Sequence, residues 1–135
     1  MKAVIQQEIT GCAIASAAAL AGVSYTAAKK VAKNLGITAT DPTLWSNTTH
    51  IRRLLHHYHI NTDNSETPFT DWQNLPNCAL LAIKWHLEKG IPYWHWVVFV
   101  RDTNGEYVLD SKKALKQNVR TDFGRIKPKW FIGVR

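Results

Sequence analysis

The stretch Gly11-Cys12-Ala13-Ile14-Ala15-Ser16-Ala17-Ala18-Ala19-Leu20-Ala21-Gly22 governs how the rest of the chain reads. From Ala13 to Ala21 eight of nine residues are apolar, most are alanine, and Gly22 stands where a helix-ending glycine would. A helix apolar on every side is a buried one. The next segments read as its companions. Ser24 caps a helix whose Ala28, Val31, Ala32 and Leu35 recur at helical spacing, with Lys29, Lys30 and Lys33 outside it. A third helix carries Ile51, Leu54, Leu55 and Tyr58, led in by Ser46-Asn47-Thr48-Thr49. The polar run from Asn61 to Asp71 reads as a crossover, and beyond it the pattern becomes that of strands. Cys78 to Trp85, Trp94 to Arg101, Tyr107 to Asp110 and Trp130 to Val134 are predicted strands, with Asn104-Gly105 as a hairpin turn. Helices first and antiparallel strands second define an α+β fold with a helical and a sheet lobe.

Composition narrows the function classes. The chain has 135 residues, 45% apolar and 20% charged, which suits one folded domain and excludes disorder. No stretch approaches the apolar length of a membrane span. Two cysteines, Cys12 and Cys78, rule out a disulfide framework and speak against a cysteine-rich zinc site. The small-residue run at Ala15-Ser16-Ala17 imitates a signal-peptide cleavage site, but Gln6, Gln7, Glu8 and Thr10 interrupt the apolar region needed before it. The expectation is a cytoplasmic protein with both thiols reduced. Net charge is +7, and most of the excess lies from Asp110 to Arg135, with eight basic residues against two acidic. No nucleic-acid-binding motif accompanies it, so a solvated basic surface is expected, not a nucleic-acid partner.

Four residues bear chemistry. Cys12 opens the buried helix, where the positive end of the helix dipole favours a thiolate, and Gly11 beside it would let a substrate approach the sulfur. His95 starts the strongest strand run, where a polar imidazole must find a partner. Asp110 ends the following strand and is placed to orient an imidazolium. Gln6 precedes the cysteine by six residues, with Gln7 as its rival because adjacent strand residues face opposite ways. An Asn104-Gly105 turn would leave Asp110 four positions from His95, about 13 Å along a strand. A longer loop from Asp102 halves that gap, and Asp102, Glu106 and Asn118 are reserves. His50, His56, His57 and His59 cluster near the third helix without an acidic or thiol ligand at metal spacing, so neither metal nor cofactor is expected. The six tryptophans are read as core, with Trp94 or Trp96 as a cleft wall.

The order Gln6, Cys12, His95, Asp110 resembles the papain-like cysteine peptidases. The run from Gln6 to Cys12, the stretch His95-Trp96-Val97-Val98-Phe99-Val100 and the tail Val108-Leu109-Asp110 are most similar to the compact bacterial peptidases that trim double-glycine leaders from bacteriocins. Ala13 and Ser111 stand where those peptidases usually have Gly and Pro, so their leader-peptide substrate is not carried over. The resemblance implies a papain-like fold and hydrolysis of a peptide or protein. Cys12 would be the nucleophile, His95 its ion-pair partner and acid, Asp110 the orienting carboxylate, and Gln6 with the Cys12 N–H the oxyanion donors. A thiol acyltransferase or transglutaminase-type enzyme, and a silent scaffold binding peptide or nucleic acid, are the alternatives.

Overall fold

The computed structural model describes residues 1–135. Three helices come first: α1 (Cys12–Ala21), α2 (Tyr25–Asn34) and α3 (Thr49–His57). Eight of the ten α1 residues are buried, and the helix stops at Gly22, whose φ of 71° only glycine adopts without strain. The N–H groups of Gly22 and Val23 close the last turn on Ala19 and Ala18. Being built of alanine, α1 lets its neighbours approach closely, and it packs against α2, α3 and the sheet. Ser24 caps α2 by accepting from the Ala27 N–H, and Asn47 accepts from the Thr49 N–H at the start of α3.

A six-stranded antiparallel sheet follows: β1 (Thr67–Pro68), β2 (Cys78–Glu88), β3 (Ile91–Asp102), β4 (Gly105–Leu109), β5 (Val119–Arg120) and β6 (Trp130–Gly133), in the order β1-β6-β2-β3-β4-β5. The molecule is thus α+β, helices before an antiparallel sheet. One face carries Trp94, Trp96, Val98 and Val100 of β3 into a core shared with the helices. The other packs Val97 and Phe99 with Leu81, Ile83, Phe131 and Ile126, the last from the short helix α4 (Phe123–Ile126).

Three departures from the sequence reading matter. Strands β2 and β3 run on through Glu88 and Ile91 to a two-residue turn at Lys89-Gly90, both at positive φ, which is the hairpin geometry that matches strand twist. Pro92 sits opposite Leu87, one pair from the turn. The polar segment 61–71 is more than a crossover, since it contributes β1 beside β6. Finally, Asp102 pairs with Gly105, so the β3–β4 turn is Thr103-Asn104, one residue earlier than the Asn-Gly reading. The Asp102 carboxylate sets it by accepting the Asn104 N–H at 2.8 Å.

Candidate active site

The turn shift brings the site together. With Leu109 opposite Val98, Asp110 lies level with Val97 and only two positions from His95. Diagonal neighbours at that offset are within reach of each other's side chains. His95 Nε2 meets Asp110 Oδ1 at 2.7 Å. Strand β4 ends at Leu109, so β3 loses its partner on that side just where Trp96 needs one. The Cys12 sulfur takes that place, accepting the Trp96 N–H at 3.5 Å, while Ala82 faces Trp96 from β2. The start of α1 is thereby fastened against the strand that carries His95, with the thiol beside the residue that follows the imidazole.

Burial alone would push the His95 imidazole down. The hydrogen bond to Asp110, and then the nearby Cys12 thiol, outweigh this and raise it to about 9. Burial would likewise push the Asp110 carboxyl up, but the His95 hydrogen bond and charge, the Lys112 N–H and the Arg120 guanidinium hold it at about 2. His95 is 14% exposed and Asp110 1%, so the pair is a buried charge-assisted contact with one edge toward solvent. Arg120 Nη1 reaches Asp110 Oδ2 at 3.0 Å and its other end grips Asp122. Asn118 donates to the Asp110 and Lys112 carbonyls, at 2.7 and 3.0 Å. Neither contact was foreseen, because β5 is two residues long and too short for a periodic signal. The other reserves serve elsewhere: Asp102 accepts from the Tyr107 hydroxyl and Glu106 pairs with Arg101.

Gln6 and Gln7 separate cleanly. Gln7 is exposed and Gln6 is buried. Gln6 Nε2 donates to the carbonyls of Glu8 and Ile9 at 3.0 and 2.9 Å, and its Oε1 accepts from the Ser111 hydroxyl at 2.7 Å. Both amide protons are therefore committed to the loop that leads into Cys12. The N–H groups of Cys12, Ala13 and Ile14 open α1 ahead of its first hydrogen bond, from Ala15 N to Gly11 O, and remain unpaired.

A Cβ at Gly11 would collide with the Tyr25 hydroxyl, so the glycine makes room for Tyr25. That hydroxyl bonds Glu8, which also pairs with Lys29 at 2.8 Å. Burial, and then the Glu8 charge and hydrogen bond, push the Tyr25 phenol up to about 12.

A cleft of about 410 Å³ opens beside His95. Its lining includes the 6–9 segment, the aromatic rings of Trp45, Tyr93 and Trp94, and Lys84, Lys112 and Lys113. Cys12 is 0% exposed and lies behind this lining. Cys78, at the start of β2, is half-buried, and burial pushes its thiol up to about 11. Among the histidines near α3, His50 bonds Thr43 at 3.0 Å and His57 meets the Tyr58 ring edge-on. Trp94, Trp96 and Trp130 pack edge to face as core. The basic segment is not one patch: Arg120 and Arg135 are paired with carboxylates, and Lys129 lies over Trp85. No helix is long and apolar enough to cross a membrane. No protein-family description matches the chain, and no characterised protein matches it either.

Proposed function

We propose that the protein is a papain-like cysteine peptidase, hydrolysing an amide bond through Cys12, His95 and Asp110. One observation carries the reading: the imidazole bonded to a buried carboxylate sits on the strand whose next N–H is bonded to the sulfur of a cysteine at the start of a helix. With Nε2 committed to Asp110, Nδ1 is the nitrogen left for the sulfur. The thiolate attacks the carbonyl carbon, forming a C–S bond and an oxyanion. His95 gives its proton to the departing amine as the C–N bond breaks, leaving an acyl-thioester. Water then attacks that ester while His95 takes up its proton, and the acid leaves as the C–S bond breaks and the thiolate re-forms. The unpaired N–H of Cys12 at the dipole end of α1 faces the developing oxyanion. Gln6, whose amide protons are held by the Glu8 and Ile9 carbonyls, would join it only by exchanging those bonds for the oxyanion.

The sealed position of Cys12 favours one other reading, a peptide-binding module on a silent scaffold. Iodoacetamide labelling followed by intact mass tests both. The peptidase reading expects one adduct at Cys12 formed well before Cys78, and slowed at least tenfold in His95→Ala, in keeping with loss of an ion-pair partner. Labelling of Cys78 first, or a Cys12 rate indifferent to His95, removes the catalytic pair and leaves the binding module. An acyl-enzyme that prefers added amines to water would instead mark an acyltransferase.

A further inference from the structure

The cleft beside His95 combines an apolar lining with three lysines, Lys84, Lys112 and Lys113. Lys84 stands on a bulge in β2, where the pairing with β3 slips between Ile83 and His86 and Lys84 adopts a φ of 54°. A lysine at positive φ is uncommon, and here the kink aims it into the cleft beside Lys112 and Lys113 from beyond β4. None of the three lysines pairs with a carboxylate. Partial burial first, and the Lys112 ammonium next, hold the Lys84 amine below its ordinary value, so the two cations crowd each other. Trp94, 6% exposed and part of the lining, keeps a buried indole N–H with no partner. The one acidic lining residue, Glu8, is already held by Lys29 and Tyr25, and Asp110 behind the cleft is held by His95 and Arg120. Donors without acceptors call for an acceptor-rich occupant, while Trp45 and Tyr93 offer it an apolar surface.

We propose that the substrate is an acidic peptide, with a side-chain carboxylate seated among Lys84, Lys112 and Lys113 and a neighbouring apolar side chain against Trp45, Tyr93 and Trp94. The proposal rests on the peptidase reading and names the substrate class of that site. Lys84 and Lys112 are then specificity-determining residues, relieved of mutual repulsion when the carboxylate arrives.

The test uses three N-acetylated Leu-X chloromethyl ketones, with X as Glu, Gln or Lys, and reads the rate of Cys12 alkylation by intact mass. The Glu reagent should react about tenfold faster than the Gln reagent, the sum of two or three partly exposed ion pairs of ordinary strength, and the Lys reagent slowest. That advantage should shrink severalfold between about 0.05 M and about 0.5 M salt, a measurement needing no variant. In Lys84→Glu/Lys112→Glu the order should reverse to favour the Lys reagent; both positions are exposed, so the fold tolerates the change. Equal Glu and Gln rates, or a Glu advantage that survives the double substitution, would overturn the acidic class while His95-dependent labelling of Cys12 left the peptidase standing. If no reagent labels Cys12, iodoacetamide included, the peptidase reading falls and takes this proposal with it.

Discussion

His95 and Gly11 show how much a single residue's surroundings decide. The imidazole sits above its ordinary value of about 6.5, so it binds its proton more tightly in the folded chain than in the unfolded one. Its contribution to stability is full below pH ~6.5 and is lost as pH rises through about 9. Asp110 has the opposite sign: held at about 2, it stabilises above ~3.9 and ceases to as pH falls through about 2. Urea midpoints should therefore decline between pH 7 and 9, and Asp110→Asn should move that decline to lower pH by removing a cause of the upward shift. The alkaline limb of Cys12 labelling should follow the same group. Gly11→Ala should cost about 1–3 kcal/mol through overpacking against Tyr25, read as a lowered Tm. Adding Tyr25→Phe removes the clashing oxygen and should recover part of the loss; no recovery would place the strain elsewhere. Sequence identified Cys12, His95 and Asp110 as candidates because each stood at an element boundary. It missed the room that Gly11 makes for Tyr25, which arrives from another helix, and it left the two glutamines undecided because the backbone before Cys12 is irregular.

Among the elements, α1 and the helix-facing row of β3 were the most legible, since composition alone forces them inside. Turns were less so. The Asn104-Gly105 pair suggested a hairpin of the right topology but the wrong register, because Asp102 captures the Asn104 N–H and moves the turn back. One residue of shift on each arm takes Asp110 from four positions away to two, the difference between a distant carboxylate and a bonded one. The Lys89-Gly90 hairpin went unread: the sequence places one strand end at Trp85 and the next start at Trp94, and the bulge between Ile83 and His86 breaks the alternation there. Gly90 adopts a φ of 79° with open space around its Cα, so Gly90→Ala should cost about 1 kcal/mol from backbone strain alone. Thermal unfolding should report that loss without a change in Cys12 labelling, as the turn lies at the far end of β2 and β3 from Cys78 and Asp102 and outside the cleft lining.

For the whole molecule the placement of β6 is decisive. Phe131 and Ile132 pair with Leu81 and Leu80, while β1 covers β6's other edge, so residues 130–133 lie inside the sheet and beside a strand formed some fifty residues earlier. A chain lacking residues 129–135 should expose the β2 edge with its buried leucines and aggregate, visible as light scattering or a void-volume peak in size exclusion. A monomer with native labelling behaviour would mean that β6 only decorates the sheet. Such an arrangement also sets a clock on synthesis. Residues 6, 12, 95 and 110 leave the ribosome well before 130–133, yet the sheet that holds His95 against Cys12 stays incomplete until those later residues arrive. A nascent chain would then carry Gln6, Cys12, His95 and Asp110 in an unassembled state until β6 has joined the sheet.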